Sequence, residues 1–285
     1  FAFTNKAAFY YRYWFSQYIG VTHVWIQCAI TNTFRYRAYY CYLYTKYEWE
    51  INMLFRQFFD SESSTYSYLL ASDSGHEGLL IDPVIDKVDM YLKLVEQLDI
   101  RLVRAIDTHT HADHITGLGK LREKTGCITV MGEQTKADCV SETIREGEYI
   151  RLDGIDLEAL YTPGHTDESY SFLLHSERPA VFTGDVLLIR GSGRTDFQGG
   201  DAGQSYDSIT KKLFTLPDST LVYPAHDYKG WTRSSVAEEK AHNPRLAGKT
   251  RAEYIDIMNN LDLPDPKMMD VAVPANLGCV IAADA

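Results

Sequence analysis

His109-Thr110-His111-Ala112-Asp113-His114 places three imidazoles and one carboxylate within six residues. With 9 histidines in 285 residues, such an H-x-H-x-D-H run is expected by chance about 0.0007 times per chain, so it is a specific signal. Alternate residues of an extended segment point the same way, so His109, His111 and Asp113 are predicted to converge. Imidazole nitrogen and carboxylate oxygen together suit zinc or iron.

Working outward, Arg101–Ile106 reads as a strand that runs straight into this cluster. Three distant segments repeat the pattern of apolar strand, small-residue turn and candidate ligand. They are Tyr161-Thr162-Pro163-Gly164-His165, Val181-Phe182-Thr183-Gly184-Asp185 and Val222-Tyr223-Pro224-Ala225-His226. Functional residues of open sheets collect on loops at strand ends. His109, His111, His114, His165 and His226 are therefore assigned to one site, with Asp113 and Asp185. His23, His76, His175 and His242 are left as ordinary surface or structural residues.

The other elements follow from pattern. Leu54–Phe59, Tyr66–Ser72 and Gly78–Asp82 read as strands, and Asp86 is expected to cap a helix reaching Leu98. Ile115–Thr125 reads as a helix stopped by Gly126. Strands are expected near Ile128–Met131, Ile155–Tyr161, Ser169–Leu174, Ala180–Thr183 and Thr220–Tyr223. Helices are expected near Ser205–Leu216, Ser235–His242 and Arg251–Leu261, with an irregular tail after Pro264-Asp265-Pro266. Strands with interspersed helices fit a layered α+β domain.

The chain is 45% hydrophobic and 24% charged, as soluble globular proteins are. A net charge of −11 without a Lys/Arg block argues against a nucleic-acid partner. Five scattered cysteines, Cys28, Cys41, Cys127, Cys139 and Cys279, lack a C-x-x-C pair and read as reduced thiols. Residues 1–52 differ from the rest: they hold 18 of the 36 aromatic residues and only two acidic ones, Glu48 and Glu50. They are read as an extension of unassigned role, with the catalytic domain at 53–285. Val21–Ile30 is too short and too polar for a membrane span, and neither a secretory signal nor a transit-peptide composition is visible.

The ordered set H-x-H-x-D-H, then His165, Asp185 and His226, resembles the metallo-β-lactamase superfamily. The resemblance covers residues 53–285 and implies an αββα sandwich of two mixed sheets with the site at one edge. A narrower similarity follows Asp185: Leu188-Ile189-Arg190-Gly191-Ser192-Gly193-Arg194-Thr195-Asp196-Phe197-Gln198 looks like the persulfide dioxygenase branch, kin of glyoxalase II. Tyr223–Tyr228, Asn243-Pro244-Arg245-Leu246 and Ala272-Val273-Pro274-Ala275-Asn276 match that branch too, and Ser192 departs where some members carry Cys. The resemblance implies one Fe(II) per chain on His109, His165 and Asp185. His111, Asp113, His114 and His226 would orient those ligands and bound water, or form a second metal site. It implies glutathione persulfide and O₂ as reactants, a homodimer, and a bacterial cytoplasmic or, in a eukaryote, mitochondrial location. The substrate carboxylates need a cation, for which Arg194 is chosen, with hydroxyl contacts from Thr195 and Tyr228. The rival reading is a glyoxalase II-type thioester hydrolase with two metals.

Overall fold

The computed structural model describes residues 53–72, 76–138, 140–264 and 268–279, together with two earlier strands. Those strands, β1 (Val24–Thr33) and β2 (Tyr36–Thr45), pair antiparallel in a unit spanning Phe1–Ile51. The second unit, Asn52–Ala285, contains everything that follows.

In this unit, apolar residues on both faces of the strands require cover on both faces. β4 (Thr65–Ala71) is buried throughout, and β5 (Glu77–Ile81) nearly so. Along β4, Tyr68 and Leu70 point into one cluster and Leu69 into another. Leu79 and Ile81 on β5 likewise part from Leu80. The first sheet runs β3 (Leu54–Asp60), β4, β5, β6 (Arg101–Ile106), β7 (Ile128–Gly132), β8 (Glu142–Ile144). β3 to β5 are antiparallel, and β5 to β8 are parallel. The second sheet runs β14 (Ser234–Ser235), β13 (Leu221–Pro224), β12 (Ala180–Gly184), β11 (Tyr170–Leu174), β10 (Ile155–Tyr161), β9 (Tyr149–Leu152). Only β12 and β13 are parallel there.

The inner faces meet in one core of Tyr68, Leu79, Ile106, Leu157, Phe172 and Phe182 with their neighbours. α1 (Val88–Gln97) and α2 (Leu118–Thr125) cover the outer face of the first sheet. α3 (Ala202–Lys211), α4 (Val236–His242) and α5 (Arg251–Asn259) cover that of the second. This is the αββα sandwich that the resemblance implied.

The differences from the sequence reading have local causes. Asp86 lies in a 3₁₀ turn, Ile85–Lys87, and does not cap α1. α2 starts at Leu118, not Ile115, because Thr116 and Gly117 are engaged elsewhere: Thr116 N–H goes to Asn276, and Gly117 N–H to the Pro83 carbonyl. Gly126 ends it in the left-handed region at φ 71°. α3 starts at Ala202, its first turn capped by Asp201. The short edge strands β8 and β9 were not anticipated. Nor was α6 (Met269–Leu277), which keeps Pro274 inside the helix where an irregular tail was expected. Cys127 is a buried free thiol, but Cys279 is disulfide-bonded, so the reduced reading fails there.

Candidate metal centre

The site gathers at the carboxyl ends of four strands. The H-x-H-x-D-H run follows β6, His165 follows β10, Asp185 follows β12 and His226 follows β13. Because β10 and β12 run in one direction and β13 lies parallel to β12, their loops emerge at one edge.

The run itself is neither strand nor helix, so the alternation expected for His109, His111 and Asp113 does not govern it. Two groups form instead. His109 joins His165 and Asp185, whereas His111 joins Asp113 and His114; in each, donor atoms lie within 4.8 Å of one another. A third such group, Asp82, Asp107 and His111, is wholly buried beneath them.

Each ligand candidate is oriented from behind. Thr108 Oγ1 donates to Asp82 Oδ2 at 3.1 Å and lies 3.0 Å from His109 Nδ1, so it accepts that N–H and leaves Nε2 a lone pair. His165 Nδ1–H donates to the Arg194 carbonyl at 2.7 Å, and its Nε2 lies 3.6 Å from Asp185 Oδ2. Asp82 also accepts from Thr108 N–H at 2.7 Å and approaches His111 Nε2 at 3.2 Å. The Thr110 peptide is clamped by Glu168 on its N–H (2.6 Å) and Gln198 on its carbonyl (2.8 Å). Gly193 is required by space: a Cβ there would lie 2.3 Å from the Asp185 carbonyl oxygen and 2.7 Å from His165 Nδ1.

The titratable groups are matched. Burial, with His111 and His165 nearby, holds His109 well below the usual histidine range. Burial and His114 do the same to His111. Both imidazoles are thus neutral and available as donors to a cation. Burial pushes Asp82 up to about 6. Burial would also raise Asp185, but His226, His165 and His109 outweigh it and keep the carboxylate ionised. His226 gives Nδ1–H to Asp185 Oδ1 at 2.7 Å and Nε2–H to Asp113 Oδ2 at 2.8 Å. His111 Nδ1 and His114 Nε2 are buried ring atoms without a partner, as expected where imidazoles face a cation site. The donor set therefore fits a metal.

A cavity of about 610 Å³ opens onto His109, Asp113, His165, Asp185 and His226, while His111 and His114 do not line it. The expected substrate contacts fare differently. Tyr228 lines the cavity, 72% exposed, stacked on His226. Thr195 is not among the lining residues. Arg194 lines it, but its fork is already held bidentately by Asp196 at 2.7 and 2.8 Å and donates to the Pro264 carbonyl. Arg194, chosen to receive a substrate carboxylate, thus lies on the cavity wall with Asp196 beside it. Sequence reasoning missed Arg245, a half-buried guanidinium on the cavity wall that donates to the Ser192 carbonyl. No carboxylate among the described residues pairs with it. Its signal was the Asn243–Leu246 run, matched to the branch but given no role.

The profile of the metallo-beta-lactamase superfamily matches residues 61–138 and 140–226. The chain belongs to the metallo-beta-lactamase superfamily. Within the superfamily it is a homologue of persulfide dioxygenases, and its clustered imidazoles and carboxylates could hold a metal. It is 46% identical over 228 residues to the mitochondrial persulfide dioxygenase ETHE1 of Mus musculus, covering 80% of this chain and 89% of that protein. The crystal structure of ETHE1 from Myxococcus xanthus matches with TM-score 0.77 and 56% identity over 80% of this chain and 99% of that one. A probable hydroxyacylglutathione hydrolase of Schizosaccharomyces pombe is more distant, 34% identical over 62% of this chain and 68% of its own.

Proposed function

We propose that the chain is an iron-dependent persulfide dioxygenase that turns glutathione persulfide, O₂ and water into glutathione and sulfite. His109, His165 and Asp185 would hold one Fe(II). The observation that carries this choice is which group meets the cavity: these three line it, whereas His111 and His114 lie buried away from it. Asp113 is moreover engaged by His226, and His226 by Asp185. Two imidazoles and one carboxylate leave coordination positions open for two reactants. Zinc has no redox chemistry to offer O₂. Bound Fe(II) would supply the redox chemistry that joins oxygen to the terminal sulfur.

The chain's own residues supply position and charge. The net charge of −11 disfavours an anionic substrate, so a local cation must offset it. Arg245 and Lys229, both on the cavity wall, are the groups for the glutathione carboxylates. Tyr228 covers the mouth above His226. His226 holds a proton between Asp113 and Asp185, keeping the Asp185 carboxylate turned toward His165.

The hydrolase reading keeps one supporting observation: donors for a second metal are present in His111, Asp113 and His114. One assay separates the two. Metal content and O₂ uptake with glutathione persulfide are measured beside hydrolysis of lactoyl-glutathione. One iron per chain with O₂ uptake is expected; two zinc ions with thioester turnover would reverse the assignment. A homodimer, and residence in bacterial cytoplasm or in mitochondria of a eukaryotic source, complete the proposal. No helix among the described residues is long and apolar enough to cross a membrane.

A further inference from the structure

We propose that Asn276, on α6, is a positioning residue of the metal centre: its carboxamide fixes the backbone that carries His111, Asp113 and His114. The side chain is 4% exposed, and both ends of its amide bond to this one loop. Nδ2 donates to the His111 carbonyl at 2.8 Å and to the His114 carbonyl at 3.0 Å. Oδ1 accepts the Thr116 N–H at 2.8 Å. The loop between β6 and α2 pairs as strand only at its end, in the Val84–Thr116 bridge, and among the described residues neither the His111 nor the His114 carbonyl accepts a backbone N–H. Asn276 therefore does for it what a neighbouring strand does elsewhere.

Amide chemistry makes the residue specific. Two donors and one acceptor in one plane match two carbonyls and one N–H. Aspartate would set an oxygen against two carbonyl oxygens, and alanine would leave all three groups unpaired in a buried place. The consequence runs past the loop. Asp113 Oδ2 accepts from His226, whose other N–H holds Asp185. A loop that drifts moves His109 at one end and, through Asp113 and His226, Asp185 at the other.

α6 has an anchor that does not involve this amide: Ala272 packs with Ile85 and Ile115. Loss of the side chain can thus be separated from loss of the helix. The inference rests on the metal centre and not on the persulfide chemistry, and its readout is metal retention.

The test compares Asn276→Ala and Asn276→Asp with Val271→Gly, a change on the exposed face of the same helix that weakens the helix alone. The rate at which a ferrous chelator strips the iron-loaded protein is measured, with the visible spectrum of the Co(II)-substituted form. Both Asn276 variants should release iron about 10–100 times faster and show a shifted Co(II) spectrum. Val271→Gly should release it at the parent rate even where its Tm falls as far. Parent-like release and spectrum in Asn276→Ala, or equal acceleration in Val271→Gly, would overturn the proposal.

Discussion

Both ring nitrogens of His226 address carboxylates, Asp113 on one side and Asp185 on the other. Burial alone would discharge this imidazole, but the two acids hold its pKa well above the usual range. In return, burial would raise Asp113, and His226 with His114 brings it well below. The three form an ion triad that is buried at His226 and Asp185 and half-buried at Asp113, and removing the imidazolium leaves two carboxylates without their shared cation. His226→Asn should therefore lower kcat about 10–100-fold and free Asp113, so that zinc beyond one equivalent binds at His111, Asp113 and His114. Metal analysis with O₂ uptake measures both, and parent-like kcat would show the triad to be idle. Gly193 acts by absence of a side chain. Gly193→Ala forces a Cβ against the Asp185 carbonyl and the His165 ring. Overpacking of this kind costs about 1–3 kcal/mol, and the first atoms displaced belong to candidate ligands. The expected result is a Tm lower by roughly 2–12 °C together with weakened iron binding. Unchanged binding would mean that the loop yields without moving His165.

Among the elements, the turn from β3 into β4 shows how an acid outside the metal set supports the cavity wall. Asp60 ends β3 and accepts the N–H and hydroxyl of Ser63, whose side chain meets Thr65 beside Asp113 and His226. Burial works to raise its pKa, but Ser63 and Lys87 outweigh it and the net shift is downward. A depressed folded pKa stabilises the protein above the unfolded value of about 4, and the gain is lost as pH falls through the folded value. Asp60→Asn should thus lower Tm at pH 7 by an amount that shrinks on acidification below about pH 4. A Tm gap independent of pH would assign the effect to lost shape and not to charge. The same elements show what a sequence discloses. β4, β5 and β12 were legible because both their faces are buried, and β6 and β10, whose residues are only partly buried, because each leads into a candidate ligand. β8 and β9 were not, being edge strands of three and four residues. α6 was hidden by Pro274, and Asn276 by distance: its partners lie 160 to 165 residues away. Arg194 and Arg245 carry identical charge in the sequence, and only the fold reveals that Asp196 already occupies the first.

At the scale of the whole catalytic unit, the candidate metal centre is a seam between two sheets. His109 comes from the end of β6 in the first sheet, and His165 and Asp185 from β10 and β12 in the second. Protein groups join the sheets at this edge too, among them Tyr66 N–H to the Ala225 carbonyl, Tyr68 Oη–H to the Pro224 carbonyl, Tyr170 N–H to the Thr108 carbonyl, and the Thr65 and His226 bridge. An ion held by ligands from both sheets binds the folded state and finds no such arrangement in the unfolded chain. Mass action then makes it a stabiliser: at a free concentration of about 1,000 Kd the gain is about 4 kcal/mol, which for a domain of this size corresponds to roughly 8–16 °C in Tm. Chelation should lower Tm by that order, and readdition of Fe(II) should restore it. Zinc should restore Tm without restoring O₂ uptake, because its bonding serves the seam while its filled d shell cannot serve the reaction. Equal thermal stability of metal-free and iron-loaded protein would mean that the two sheets are already locked without the ion, and that His109, His165 and Asp185 do not share one.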